Sequence, residues 1–132
     1  MTTTTVTRAA RTLIAAGTSN AAGDTTRGTV DLRTAIGGLL TIKLTNSGAL
    51  GAQAEARILV AHNTGSTPTA ASAGADWKTV YVVGNGTASG KTGEWSYQVN
   101  GAMHLEVEVT GNTTNAVVCE AYLSETSSAV SA

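Results

Sequence analysis

The sequence is poor in the residues that build aromatic cores and disulfides. Phenylalanine is absent, aromatic residues make up 4% of the chain, and cysteine and proline occur once each. A single cysteine, Cys119, can form neither an internal disulfide nor a cysteine-based zinc site, and we expect a buried, unreactive thiol. With so few aromatic side chains, the core must consist mainly of Val, Leu, Ile and Ala, which suits two closely facing sheets.

Charged residues are also scarce. They account for 13% of the 132 residues, against a usual fraction of about 25%, and the net charge is −1. A nucleic-acid-binding protein normally carries a clustered basic patch, so we do not expect nucleic acid as a partner. The first apolar run, residues 13–16, is too short for a signal-peptide core or a membrane span, so we expect no membrane partner either. Low charge favours a surface that neighbouring molecules cover.

The sequence does contain segments in which apolar and polar residues alternate with period two. In residues 28–46, two alternating runs centred on Val30 and Ile42 flank Gly37 and Gly38. This pattern predicts an antiparallel hairpin that reverses at the glycine pair. Further strand-like segments occupy residues 11–16, 54–62, 76–83, 94–99, 103–109 and 116–123.

About eight strands without a helical pattern predict an all-β fold, an antiparallel β-sandwich of jelly-roll or Greek-key type. The Thr-rich start of the chain has no alternating apolar residues, so we divide the chain into three parts. These are an extended N-terminal arm (1–10), a sandwich domain (11–125) and a C-terminal tail (126–132). We expect a neighbouring molecule to hold the arm by strand pairing or in a groove. The predicted partner-binding residues are Thr4, Thr5, Arg8 and Arg11, with the two arginines facing carboxylates of the neighbour.

Residue types that carry catalysis are few. His62 and His104 are the only histidines, and neither has a further ligand at metal-binding spacing, so we predict no metal and no cofactor. Glu106 and Glu108 lie about 7 Å apart on one strand face, a separation that inverting glycosidases use, but the same pattern is typical of a solvated face, which is our interpretation. Nucleophile-elbow and phosphate-loop motifs are absent, and we predict no enzymatic activity and no catalytic residue.

The large aromatic side chains allow two interpretations. Trp77, Tyr81, Trp95 and Tyr97 all lie in predicted strands. Flat aromatic rings on a sandwich can form stacking platforms for sugars. In a chain with so few large apolar residues, however, we interpret them chiefly as core residues.

Several stretches together resemble a small family of tailed-bacteriophage virion proteins. They are TLIAAGTSNAAG (12–23), TTRGTVDLRTAIGGLLTIKLTN (25–46), ILVAHNTGSTP (58–68), ADWKTVY (75–81) and MHLEVEVTGNT (103–113). The resemblance implies a structural protein of the virion that is made in the cytoplasm of the bacterial host. By broader similarity to small jelly-roll virion proteins, the expected role is a head decoration or cement protein on the major capsid lattice.

The resemblance brings no catalytic residue. The implied partner is the major capsid protein or another virion protein, and we expect a homo-oligomer, with a trimer favoured, because the core is thin and the charge sparse. The alternatives are a tail or baseplate adaptor and a receptor- or carbohydrate-binding module of the virion.

Overall fold

The computed structural model describes residues 4–64, Pro68 and residues 76–131, with the side chains of residues 5–64, 68 and 76–127. The described chain forms eight β-strands: β1 (Thr4–Asn20), β2 (Thr26–Asp31), β3 (Gly37–Asn46), β4 (Glu55–Ala61), β5 (Trp77–Gly84), β6 (Thr92–Asn100), β7 (His104–Thr110) and β8 (Val117–Ser131). Sheet A has the order β1-β8-β3-β6 and sheet B the order β2-β7-β4-β5, with all pairs antiparallel. This is the strand order of a jelly roll, so the predicted β-sandwich is confirmed.

The predicted hairpin between β2 and β3 is wrong. The two strands belong to different sheets, because β2 pairs with β7 whereas β3 pairs with β6 and β8. Gly37 and Gly38 are the first residues of β3, and a Cβ at Gly38 would collide with the carbonyl oxygen of Ser124. The glycine therefore allows close approach of β8. Period-two alternation identifies a half-buried strand but not the strand with which it pairs.

The core is aliphatic, as the composition predicts. Fully buried side chains from both sheets meet in one cluster, and they include Leu40, Ile42, Leu44, Ile58, Leu105, Val107, Val109, Val117, Ala121 and Leu123. Cys119 belongs to this cluster at 1% exposure, and burial raises the pKa of its thiol. Its predicted burial is therefore confirmed, and the raised pKa disfavours the reactive thiolate.

The predicted arm and the predicted tail pair with each other. Residues 4–10 of β1 run antiparallel to residues 124–131 of β8, and beyond Thr126 strand β8 pairs with β1 alone. The strand partner that we expected from a neighbouring molecule is thus supplied by the chain itself. The sequence did not indicate this pairing because both ends are polar and lie more than a hundred residues apart. We call residues 4–7 together with residues 128–131 the terminal ribbon.

Four asparagines close the opposite end of the sandwich. Asn20, Asn46, Asn85 and Asn112 are at most 1% exposed. The Asn20 Nδ2 donates to Asn112 Oδ1 at 2.7 Å, and Asn85 Nδ2 donates to Asn46 Oδ1 at 3.0 Å. These amides hydrogen-bond to carbonyls of the loops that would otherwise have no partner in the interior. They fix the connections between the two sheets at this end.

Candidate interaction surfaces

The outer face of sheet A exposes apolar side chains next to the terminal ribbon. Val6, Leu39 and Tyr122 are 41%, 47% and 36% exposed, and strand alternation places all three on this face. Ile36, 53% exposed, borders the same face at the start of β3. Exposed large apolar residues gathered on one face are typical of an interaction site. We call this area, together with the terminal ribbon, the ribbon face.

A groove of about 480 Å³ crosses the ribbon face. Leu39 and Ile36 form its apolar part, and Ser124, Thr126, Gln98 and Asn100 contribute polar groups. Arg8 is the charged residue that lines it. A shallow groove of this size, with a mixed lining, suits a strand or loop of another protein.

The four predicted partner-binding residues have different environments in the structure. Thr4 pairs through its backbone with Ser131, and Thr5 is exposed in β1. Arg8 lines the groove, and within the described part of the chain no carboxylate lies within 4.0 Å of its guanidinium. Arg11 instead forms an ion pair with Glu125, with Nη1 3.2 Å from Oε2. The carboxylate that we expected from a neighbour is thus supplied to Arg11 by Glu125 of the same sheet.

The solvated face predicted for β7 is also wrong. His104, Glu106 and Glu108 share the outer face of sheet B and are only 2%, 3% and 9% exposed. Glu108 forms an ion pair with Arg27 at 3.0 Å, and Glu106 Oε1 accepts a hydrogen bond from the Thr29 hydroxyl at 3.1 Å. The other Glu106 oxygen and the Nε2 of His104 have no hydrogen-bond partner in the described structure. Alternation alone cannot distinguish a solvated polar face from a covered one.

The pKa of Glu106 is raised above its ordinary value. Burial is the main cause, and the Thr29 hydroxyl and the charge of Arg27 oppose it while the charge of Glu108 adds to it. A pKa that is higher in the folded than in the unfolded chain favours folding while the group is protonated. This contribution is complete below the ordinary value near 4.5 and is lost as the pH rises through the folded pKa.

We expect the variant Glu106→Gln to gain stability relative to the natural chain as the pH rises from about 4 to about 7. The amide keeps the shape of the carboxyl group but never acquires its charge. Urea unfolding at both pH values measures the difference in the free energy of unfolding. Glu94→Gln, which removes a carboxylate at an exposed position of β6, is the matched control for the loss of one negative charge. A difference between Glu106→Gln and the natural chain that does not vary with pH would contradict the prediction.

The second surface lies at the open edge of the sandwich, where the edge strands β5 and β6 of the two sheets face each other. Tyr81 of β5 stacks on Tyr97 of β6 with ring centroids 4.8 Å apart and planes 20° apart. Tyr81 nevertheless remains 52% exposed. A cleft of about 260 Å³ opens beside it. Its lining consists of Ile58, Val60, His62, Val80, Tyr81, Gln98, Val99, Asn100, Gly101 and Ala102.

The four aromatic residues therefore do not share one role. Trp77 is 8% exposed and packs with Leu59 and Ala61, whereas Trp95 and Tyr97 lie partly buried against the main core. For these three, the predicted packing role is confirmed. Tyr81 is the exception, because its ring stacks on Tyr97 at the edge of the sandwich while 52% of the residue stays exposed.

Leu39 is a residue of the ribbon face that the sequence did not indicate. Leu39 follows two glycines and precedes three alternating core residues, so its outward position became visible only with the strand register. In the described residues, no group of three or more His, Cys, Asp or Glu side chains is arranged to hold a metal ion. That part of the chain also contains no helix with the length and hydropathy that crossing a bilayer requires.

Comparison with known proteins supports the fold. No family model matches the sequence, and no curated protein matches it either. Among solved structures, the K3 cleaved adhesin domain of Lys-gingipain from Porphyromonas gingivalis w83 aligns with a TM-score of 0.53 and 15% identity, over 82% of this chain and 73% of that one. The SPBc2 prophage-derived protein YomS aligns with a TM-score of 0.49 and 17% identity, over 91% of this chain and 95% of that one.

A third solved structure is chitosan-binding module 1 of a chitosanase/glucanase from Paenibacillus sp. IK-5. It aligns with a TM-score of 0.45 and 20% identity, over 89% of this chain and 93% of the module. At these identities, the likeness to the adhesin domain shows a shared β-sandwich fold and does not extend to function.

Proposed function

We propose that this chain is a non-enzymatic structural protein of a bacteriophage virion that attaches to its neighbours through the ribbon face. The observation that carries the proposal is the cluster of exposed apolar residues, Val6, Ile36, Leu39 and Tyr122, on and beside one face of sheet A. A freely diffusing protein rarely exposes such a cluster without a partner for it. The five sequence stretches that resemble tailed-bacteriophage virion proteins supply the context of the virion.

The terminal ribbon supports attachment at the same place. An isolated pair of strands is at best marginally stable in water, and residues 5–12 of β1 are all exposed. Burial against a neighbouring subunit would stabilise the ribbon and cover Val6 and Leu39 together. Arg8, which lines the groove beside them, would then meet a carboxylate of that neighbour.

The specific role that we propose is a head decoration or cement protein bound to the major capsid protein, acting as a homo-oligomer with a trimer as the favoured state. Mass spectrometry of separated heads and tails tests the location. Recovery of the chain with heads is expected, whereas recovery with tails only would replace the decoration role by that of a tail or baseplate adaptor. Absence from both fractions would overturn the proposal. Sedimentation of the purified chain tests the oligomeric state.

Deleting residues 1–7 is expected to abolish attachment to the particle while shifting thermal unfolding only slightly. Strand β3 begins opposite Thr126, so the strand pairing of residues 4–7, which is with residues 128–131, lies beyond the four-stranded part of sheet A. Pelleting of the truncated chain with heads that lack the protein measures attachment. Loss of folding instead of attachment would show that the ribbon is part of the folding unit.

A pair of point variants separates the ribbon face from the rest of the surface without truncation. Leu39→Glu introduces a charge into the centre of the proposed interface and is expected to weaken pelleting. Val82→Glu introduces the same charge at a valine that is 49% exposed on the far edge of the sandwich and is expected to leave pelleting unchanged. Equal effects of the two variants would argue against attachment through sheet A.

A further inference from the structure

The open edge between β5 and β6 has the features of a small-molecule site. The cleft of about 260 Å³ has an apolar floor of Ile58, Val60 and Val99. Its volume is slightly below the range of about 300–1,000 Å³ that is typical of sites for drug-sized ligands. It therefore accommodates one or two sugar-sized rings of a longer ligand, with the remainder outside.

Tyr81 forms a preorganised wall of this cleft. Its stacking on Tyr97, at 4.8 Å between ring centroids, holds the ring in place while half of the side chain stays open to solvent. The strand register around it is irregular, because Ile58 pairs with Tyr81 and the next residue, Leu59, pairs with Thr79. Val80 is thus the extra residue of a bulge, a device that often re-aims side chains beside functional sites. A ring held in this way costs little conformational entropy when a ligand binds.

The polar groups of the cleft are available to a ligand. Within the described part of the chain, the side chains of His62, Gln98 and Asn100 make no hydrogen bond to other residues. Each carboxamide has an NH2 group that donates hydrogen bonds and a carbonyl oxygen that accepts them. None of the described residues that line the cleft is Asp, Glu, Lys or Arg, so the cleft presents no fixed charge to attract an ionic ligand.

We propose that this cleft binds a neutral hexopyranose chain, with the apolar face of one sugar ring on Tyr81. The ring hydroxyl groups pair with the carboxamides of Gln98 and Asn100 and with the imidazole of His62. A saccharide combines a flat apolar face with many neutral hydroxyl groups, which matches an aromatic wall beside two carboxamides. A purely apolar peptide would leave those polar groups unpaired. Gln98 and Asn100 also line the groove of the ribbon face, so a saccharide in the cleft and a neighbour in the groove would share these two side chains, whereas Tyr81 and His62 line the cleft and not the groove.

Calorimetric titration of the full chain with cellotetraose, maltotetraose and tetra-N-acetylchitotetraose tests the proposal. These probes are neutral hexopyranose chains that differ in linkage and substituent. We expect at least one of them to bind, and Tyr81→Ala to weaken that binding roughly tenfold, the loss expected for a single aromatic contact. Tyr81→Phe keeps the stacking surface and should retain most of the affinity. Val82→Ala, on the same strand but outside the cleft, is the matched control and should bind as the natural chain does.

Three results would overturn the proposal. The first is that none of the three saccharides binds to the natural chain. The second is that one binds but Tyr81→Ala and Val82→Ala bind it equally well, with thermal unfolding showing both variants folded. The third is that a neutral peptide with the sequence Val-Tyr-Val binds to the natural chain and loses affinity in Tyr81→Ala, whereas the saccharides do not bind. Recovery of the chain with heads or tails is a separate measurement, so failure here leaves the virion proposal to its own test.

Discussion

Replacing Gly28 with alanine is expected to destabilise the folded chain by about 3 kcal/mol or more, the upper end of the usual range for overpacking. Gly28 lies in β2, and a Cβ added there would overlap the backbone carbonyl of Leu13 in β1. Thr12 pairs with Tyr122 of β8, and Ile14 pairs with the adjacent Ala121. Leu13 therefore has no partner and is the extra residue of a bulge. A backbone group cannot turn aside as a flexible side chain can. The two sheets would therefore have to separate at the edge formed by β1 and β2.

Gly101→Ala is the control for this prediction. Gly101 has a positive φ of 79° and no atom within 4 Å of an added Cβ, so alanine there adds backbone strain without a collision. Its cost is expected to be about 1 kcal/mol. Urea unfolding followed by tryptophan fluorescence measures both variants. A Gly28→Ala variant that is no less stable than Gly101→Ala would show that β1 can move away from β2 at little cost.

Gly28 and Gly38 both permit close approach of another strand, and the sequence predicted this for neither of them. Alternation located a segment of each of the eight strands, although only residues 11–16 of β1 and about half of β8, and it placed Leu40, Ile42 and Leu44 inward, because a half-buried strand leaves a local pattern with period two. Strand pairing is non-local, however, and a glycine that permits close approach of two strands has the same sequence signature as a glycine in a turn. The Gly37-Gly38 pair was therefore predicted to be a turn, although Gly38 packs against β8.

The candidate surfaces show the same limit. The sequence indicated a partner-binding N-terminal arm from its Thr-rich composition, and Arg8 does line an exposed groove. It did not indicate that Arg11 is paired with Glu125, because that contact joins residues 114 positions apart. The exposure of Leu39 and the burial of Glu106 likewise depend on what lies across the sheet. Contacts between strands that are distant in the sequence cannot be predicted from the residue pattern of one strand.

The second large effect is expected from Asn85→Ala, which should lower the free energy of unfolding by about 3 kcal/mol. The Asn85 Nδ2 donates to the Leu44 carbonyl at 3.3 Å, to Asn46 Oδ1 at 3.0 Å and to the Lys91 carbonyl at 3.0 Å. Asn85 follows β5 of sheet B, whereas Leu44 and Asn46 belong to β3 of sheet A. The side chain therefore joins the two sheets, and its removal leaves buried acceptors without a donor.

Two further variants show whether the amide nitrogen is responsible. Asn85→Asp has the same shape but replaces the donor by a carboxylate oxygen facing three acceptors, so it should destabilise the chain at neutral pH at least as much as alanine does. Asn100→Ala removes an exposed amide that makes no hydrogen bond in the described structure, and a change within about 0.5 kcal/mol is expected. Urea unfolding at neutral pH compares all three. Asn85 Oδ1 has no hydrogen-bond partner, so the hydrogen bonds of this side chain are all donated by its nitrogen. A stable Asn85→Asp variant would therefore mean that these bonds contribute little to the free energy of unfolding. The other asparagines would then hold this end of the sandwich.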